Sequence, residues 1–280
     1  MFIGFVFTNY NNSKVTVDAI RSIFNNDDAI KKFKIVILDN NSDITNIELL
    51  NTIKDEFSDV HLIFNKINIG YFKGLNKGID YLRNNYKEIN HIVIGNNDLI
   101  FSKNFIKAVR EKHSLFHNYP IISPNIITLD GVHQNPHVVE KISRFRQMIY
   151  DLYYSNFYLA IIIEKIAELT HSFTDRKDEQ QFKIAQEIYQ GYGACYILGP
   201  LFFESFKELW SPSFIMHEEY FLAEQLYSKG YKIYYEPSII VRHHCHSATK
   251  ELLRKKRWEL SRDAHRLCKK YIKDKNLELI

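Results

Sequence analysis

The chain has 280 residues, 45% of them hydrophobic and 25% charged, enough to bury a sizeable core and unlike a disordered or fibrous composition. Its net charge is +4, but residues 250–275 hold eleven Lys or Arg against four Asp or Glu. The basic residues thus gather in one tail and not in a groove interleaved with aromatics, which argues against nucleic-acid binding.

The run from Met1 to Phe7 lacks a basic n-region and a small-residue cleavage site. It therefore reads as a core strand and not a signal peptide, and the expected compartment is the cytoplasm. A strand over 2–7 leads to a helix from about Ser13, a strand over 34–38 to a helix from about Asn46, a strand over 60–64 to a helix from about Phe72, and a strand over 91–94 to a helix from about Lys103. Near-continuous apolar strands alternating with helices predict a parallel sheet covered on both faces, with ligands bound beyond the carboxyl ends of the strands. A polar cluster follows each strand: Thr8 to Asn12, Asp39 to Asp43, Asn65 to Gly70, and Asn96 to Asp98. All four are expected on one rim.

From about Tyr119 the rhythm changes, with Pro120, Pro124 and Pro136 in a stretch that reads as irregular. A helix-like segment follows over 143–173, its apolar residues either ordinary core or an acceptor-side, membrane-facing lid. Regular structure is expected again over 189–198, in helices from about Leu201 and over 217–228, and in strands over 232–235 and 239–244. The longest apolar run, Phe157 to Ile163, falls short of the roughly 20 residues that cross a bilayer. The tail places Leu252, Leu253, Trp258, Leu260, Leu267 and Tyr271 at broadly helical spacing. That pattern suits either a helix docked on anionic lipid or one packed on its own domain. The expected division is 1–120, 121–248 with a helical insertion near 143–185, and a basic amphipathic helix over 249–280. Cys195, Cys245 and Cys268, far apart and odd in number, read as packing residues in a reducing compartment.

The first strand ends without the glycines of a dinucleotide fingerprint, and no P-loop motif occurs, which disfavours a dehydrogenase and an NTPase of that type. Asp39, after the second strand, is placed to accept hydrogen bonds from a base or ribose, although Asp-Asn-Asn-Ser also makes ordinary turns. Gly70, Gly74 and Gly78 enter a helix, where each costs stability, so close backbone approach to a ligand or to a neighbouring strand is expected. Asp98, at the tip of the fourth strand, is placed to reach a divalent cation. Glu218 and Glu219 are either chemical groups or two first-turn acids favoured by a helix dipole. A structural zinc site near His244 is disfavoured, because His244 and His246 leave a strand opposite to His243 and Cys245.

Together these motifs resemble family 2 glycosyltransferases of the GT-A fold, particularly rhamnosyltransferase-like bacterial members. Asn68 to Gly78 fits the family's Asn-x-Gly-aromatic-x-x-Gly-x-Asn-x-Gly at every fixed position, and Asn96-Asn97-Asp98 stands where Asp-x-Asp is usual. The resemblance implies an α/β GT-A (Rossmann-like) nucleotide-sugar fold with a mainly parallel central sheet and a helical C-terminal extension. It implies donor contacts from Thr8, Asn9, Tyr10, Asp39, Asn41, Asn68, Gly70, Tyr71, Gly74, Asn76, Asn97 and Asp98. Mg²⁺ or Mn²⁺ would sit on Asp98 and His244, with His243 and His246 as alternatives to the histidine. Glu219 would be the general base, with Glu218 as its alternative, and Gln190 to Cys195 would line the sugar and acceptor pocket. The implied reaction is inverting transfer from a nucleotide-diphosphate sugar, dTDP-rhamnose or a UDP-sugar, to a glycan or lipid-linked oligosaccharide, on the inner face of the cytoplasmic membrane if the tail docks there. Two other readings compete. A sugar nucleotidyltransferase needs a glycine-rich basic loop after the first strand, which is absent. A non-catalytic membrane-surface scaffold rests on the missing first aspartate and the basic tail.

Overall fold

Phe5 and Val6 are adjacent and fully buried, yet they pack into different apolar clusters, because successive side chains of a strand leave it on opposite faces. Such a strand needs cover on both sides. The computed structural model describes residues 1–27, 32–170, 177–245 and 253–273. The first half runs β1 (Phe2–Asn9), α1 (Ser13–Phe24), β2 (Phe33–Asp39), α2 (Ile44–Glu56), β3 (Val60–Phe64), α3 (Tyr71–Asn85), β4 (Ile89–Asn96), β5 (Leu99–Phe101) and α4 (Phe105–Glu111). The second runs β6 (Ile121–Thr128), α5 (Arg144–Tyr153), α6 (Phe157–Thr170), β7 (Gln186–Ile188), β8 (Cys195–Leu198), α7 (Pro200–Ser205), α8 (Glu218–Tyr227), β9 (Ile233–His243) and α9 (Arg254–Lys273).

Among the described residues nine strands form one sheet in the order β3-β2-β1-β4-β8-β6-β9-β5, with β7 beside β9. β1 to β4 pair in parallel, as their apolar runs predict. Beyond β4 the sheet is mixed: β8 is antiparallel to β4 and β6, and β6 is parallel to β9. α1, α2 and α4 cover one face and α3, α7 and α8 the other. One sheet therefore spans both halves expected on either side of residue 120.

The stretch that reads as irregular begins instead with a strand, β6 over 121–128, largely buried, and is free of regular helix or strand only from 129 to 143. Pro124, which has no N–H to give the ladder, sits where the pairing of β6 with β9 shifts register. The strands expected over 232–235 and 239–244 are one, β9, running through Pro237. Of the regular segment expected over 189–198, residues 195–198 form the buried strand β8, and 189–194 are the loop that leads to it from β7. The helix expected over 143–173 is a hairpin of two, broken before Phe157, where Asn156 Oδ1 accepts the Tyr158 N–H at 2.8 Å and starts α6.

α9 packs on this hairpin. The Trp258 ring lies 5.5 Å from that of Phe157, and Tyr271 lies 4.7 Å from Trp210. His265 Nε2 and Lys269 Nζ reach the Asp151 carboxylate at 2.7 and 2.8 Å. Trp258, Ala264 and Cys268 are buried, so this side of α9 is packed on the protein, whereas Leu253, just before the helix, is 81% exposed. Leu252 lies outside the described residues. No described helix is long and apolar enough to cross a membrane.

Candidate active site

β1 pairs with β2 on one side and β4 on the other, so the connections leave its carboxyl end in opposite directions and open a crevice there. A cavity of about 550 Å³ occupies that position. All four predicted polar clusters reach it, through Thr8, Asn9, Tyr10 and Asn12, through Asn40, through Asn68 and Gly70, and through Asn96 to Asp98. The opposite wall comes from the second half: Gln134, the loop Tyr192–Ala194, Phe214 to Met216, Glu218, Glu219, His243 and Cys245.

A buried polar network fixes the floor. Asn9 Nδ2 donates to Asp39 Oδ1 at 2.8 Å, and the Ser42 hydroxyl and N–H donate to the same carboxylate at 2.5 and 2.9 Å. The Asn97 amide donates to Thr16 Oγ1 at 2.7 Å and to Asn9 Oδ1 at 3.1 Å, which ties the end of β4 to the end of β1. Such a network holds its members rigid, because an unmade bond there is costly. The Asn97 amide is thereby engaged in positioning Asp98.

Asp98 is 2% exposed, and its Oδ1 lies 3.1 Å from His243 Nε2. His243 also meets Gln134 Oε1 at 2.7 Å through Nδ1. The strand register thus brings His243 to Asp98. His244, the predicted ligand, is the next residue along, gives its backbone N–H to the Asp98 carbonyl at 3.0 Å and does not line the cavity. Successive side chains on a strand face opposite ways, and here β5 beside β9 decides which way each one faces. His246 lies outside the described residues.

Four other predicted donor residues also lie off the cavity surface. Asp39 is buried beneath Asn9 and Ser42. Asn41 is exposed in a left-handed turn, φ 69°, and its neighbour Asn40 faces the cavity instead. Gly74 lies against Thr8 and Leu38, where a Cβ would collide with the sheet, so its role is helix packing. Asn76 is 5% exposed and brackets the Leu209 backbone, donating at 2.8 Å and accepting at 2.9 Å. Gly70, by contrast, has φ 92° and turns its backbone against Phe214, whose carbonyl accepts the Tyr71 N–H at 3.1 Å. The Tyr71 hydroxyl crosses to the Gly193 carbonyl at 3.0 Å and joins the two walls.

Glu218 and Glu219 open α8, where the helix dipole favours acids. Met216 and His217 before them both have positive φ, 76° and 63°, a strained entry of the kind that collects at functional sites. The half-buried His217 ring, its pKa lowered to about 4 by desolvation, sits against Tyr154 and His265 and wedges this turn against α5 and α9. Glu219 Oε1 accepts the Gly193 N–H at 3.1 Å. Glu218 is 7% exposed, and burial and then the Glu219 charge raise its pKa to about 8. The two carboxyl groups are therefore unequal: burial and the neighbouring charge favour the protonated form of Glu218, and Glu219 stands nearer solvent.

Sequence reasoning missed Gln134 and Phe214, whose loops carry no motif, and read Cys245 as a packing residue, whereas it lines the cavity and is not simply packed as Cys195 and Cys268 are; Met216 opens the segment that carries Glu218 and Glu219. Tyr192 and His243 fell within segments singled out in the sequence.

The family model "Glycosyl transferase family 2" matches residues 5–158. No curated protein sequence matches the chain. Among solved structures, S. aureus TarS 1-349 in complex with UDP-GlcNAc aligns with TM-score 0.59 at 12% identity, covering 89% of this chain and 60% of that one. Longer S. aureus TarS aligns with TM-score 0.58 at 11% identity, covering 87% and 37%. The chain thus spans less than two thirds of either, and at such identity the likeness is one of fold: the GT-A nucleotide-sugar fold. With more than half its length matched by the family model and its cavity at the switch point of that fold, the chain belongs to glycosyltransferase family 2.

Proposed function

We propose that this glycosyltransferase is inverting and metal-dependent, moving a sugar from a nucleotide-diphosphate donor to a hydroxyl of a glycan or lipid-linked oligosaccharide in surface-polysaccharide synthesis. The observation that carries the proposal is the placement of Asp98 and the Glu218–Glu219 pair on opposite walls of one cavity. TarS, of the same fold, was crystallised with UDP-GlcNAc, which supports a nucleotide sugar as donor. dTDP-rhamnose is the rival donor, resting on the rhamnosyltransferase-like motifs alone.

Glu219 acts as general base. It takes the proton from the acceptor hydroxyl as that oxygen attacks the anomeric carbon, and the bond from that carbon to the diphosphate oxygen breaks on the opposite face, so configuration inverts. Glu218, its protonated form favoured by burial, spares Glu219 the repulsion of a second charge. Thr8, Asn9, Tyr10 and Asn68 hold the nucleotide and its sugar, while Tyr71 keeps the Gly193 loop against the base.

Among the described residues no group of three His, Cys, Asp or Glu gathers that could hold a metal by itself. The buried Asp98 carboxylate with His243 beside it nonetheless fits a hard cation such as Mg²⁺ or Mn²⁺, which takes one or two protein carboxylates and completes its shell with phosphate and water oxygens. When bound, such an ion neutralises charge on the departing diphosphate.

Glu219→Gln is expected to lower transfer by about 10²–10⁴-fold, the usual worth of a general base, while leaving nucleotide binding near wild type. Full activity in that variant would remove Glu219 from the role, and Glu218→Gln would then decide whether its neighbour holds it.

A further inference from the structure

α6 is apolar on two sides. Its inner side packs: Ala160 is 2% exposed, and Phe157 lies against Trp258. Its outer side carries Tyr158, Ile162 and Leu169, which are 71%, 53% and 82% exposed. Spaced four and seven residues apart, these form one stripe. α5 adds a second stripe from Phe145, Met148 and Leu152, at 68%, 66% and 52%. An apolar stripe belongs in an apolar environment, and this hairpin has one on its inner side only.

The charge around the hairpin distinguishes the occupants. Arg144, Arg146 and Lys165 on its own helices are exposed, against the one exposed acid of those helices, Glu168, and so are Lys255, Lys256 and Arg257 at the start of α9, the helix packed on it. A second copy would bring the same positive charge against itself. An anionic leaflet would attract it at about 1 kcal/mol per basic residue near the surface. Apolar stripes flanked by Lys and Arg are the pattern of helices that lie in a membrane interface.

We propose that the α5–α6 hairpin is the membrane-docking element of this protein, seating its apolar stripes in an anionic phospholipid leaflet with the start of α9 supplying charge. The apolar side of α9 is buried and takes no part. The hairpin also touches the active site: the Tyr154 hydroxyl lies 3.4 Å from His217 Nε2, one residue before Glu218. A docked hairpin would hold the base-bearing end of α8 at the membrane, where a lipid-linked hydroxyl is presented. This last step rests on the function proposed above; the docking itself does not.

The test is co-flotation of the full chain with phosphatidylcholine vesicles, with and without phosphatidylglycerol, alongside sedimentation to fix the oligomeric state. Binding is expected only with phosphatidylglycerol and should weaken as salt rises. The exposed triple substitution Phe145→Ser, Ile162→Ser and Leu169→Ser should lower the vesicle-bound partition at least about tenfold, with melting temperature and donor hydrolysis unchanged. Lys255→Glu with Lys256→Glu should lower it comparably. Absence of vesicle binding by the wild-type chain, or undiminished binding by the triple variant, overturns the proposal. So does a wild-type dimer that the triple variant abolishes, which would make a second copy the occupant. Loss of transfer with vesicle binding intact would count against the enzymatic reading and leave the docking surface standing.

Discussion

At the scale of single residues, Glu218 carries a cost that can be measured. Its folded pKa of about 8 lies above the ordinary carboxyl value of 4.5, so the folded state binds more protons between these values, and stability falls as pH rises through that window. Glu218→Gln removes the titration while keeping the shape. The variant should gain stability over wild type by on the order of 1–3 kcal/mol near pH 8 and show no gain near pH 4, read as the difference between the two melting curves across pH. A constant difference across pH would show that Glu218 is not held protonated. The acids themselves were legible in the sequence, because two adjacent glutamates after Met216-His217 stand out as first-turn residues. Their inequality was not, since it comes from the tertiary packing that buries Glu218 and leaves Glu219 nearer solvent. His243 and His244 make the same point: the pattern announces a late histidine, but the partner strand β5 decides which one turns to Asp98.

At the scale of elements, the link between Gly70 and Phe214 joins the first turn of α3 to the loop that precedes α8. Gly70→Ala faces both a positive φ and a collision with the Phe214 carbonyl, whereas Gly131→Ala, at φ 87° with open space around it, meets only the first. Alanine at 131 should therefore cost about 1 kcal/mol and alanine at 70 about 2 kcal/mol or more, with weaker nucleotide binding only at 70, as read by denaturant melts and nucleotide titration. Equal costs would mean that the contact with Phe214 contributes nothing. The four βα units of the first half were readable because each strand is a local apolar run and each helix a local amphipathic pattern. β6 was hidden by Pro124, and the register shift that accommodates this proline exists only in the pairing with β9. The break between α5 and α6 was equally hidden, because both flanking sequences are helical and only the Asn156 cap divides them.

At the scale of the whole molecule, the donor site is built from the first half and closed by the second, so a bound donor should stabilise the entire fold. A thermal-shift panel of UDP, dTDP, GDP and CMP sugars, each with and without Mn²⁺, is expected to show a metal-dependent rise with one nucleotide class, about 2.7 kcal/mol of apparent stability at a hundredfold excess over Kd. A rise with no metal dependence would remove Asp98 from the ligand role, and the absence of any rise would leave the cavity without its proposed donor. The sequence by itself determined the α/β class, the parallel sense of β1 to β4, the rim on which their polar ends meet, and the presence of paired acids and a late histidine. These are properties of local hydrophobic period and of residues placed just after strands, and they survive without knowledge of any distant contact. The tertiary structure alone decided that Asp39, Gly74 and Asn76 support the site from beneath and do not line it, that Glu218 is buried and Glu219 is not, and that the tail turns its apolar side inward. Each of those outcomes depends on which surfaces meet across 30 to 130 residues of chain, as in the bonds from Asn9 to Asp39 and from Asn76 to Leu209. No local pattern encodes that long-range pairing.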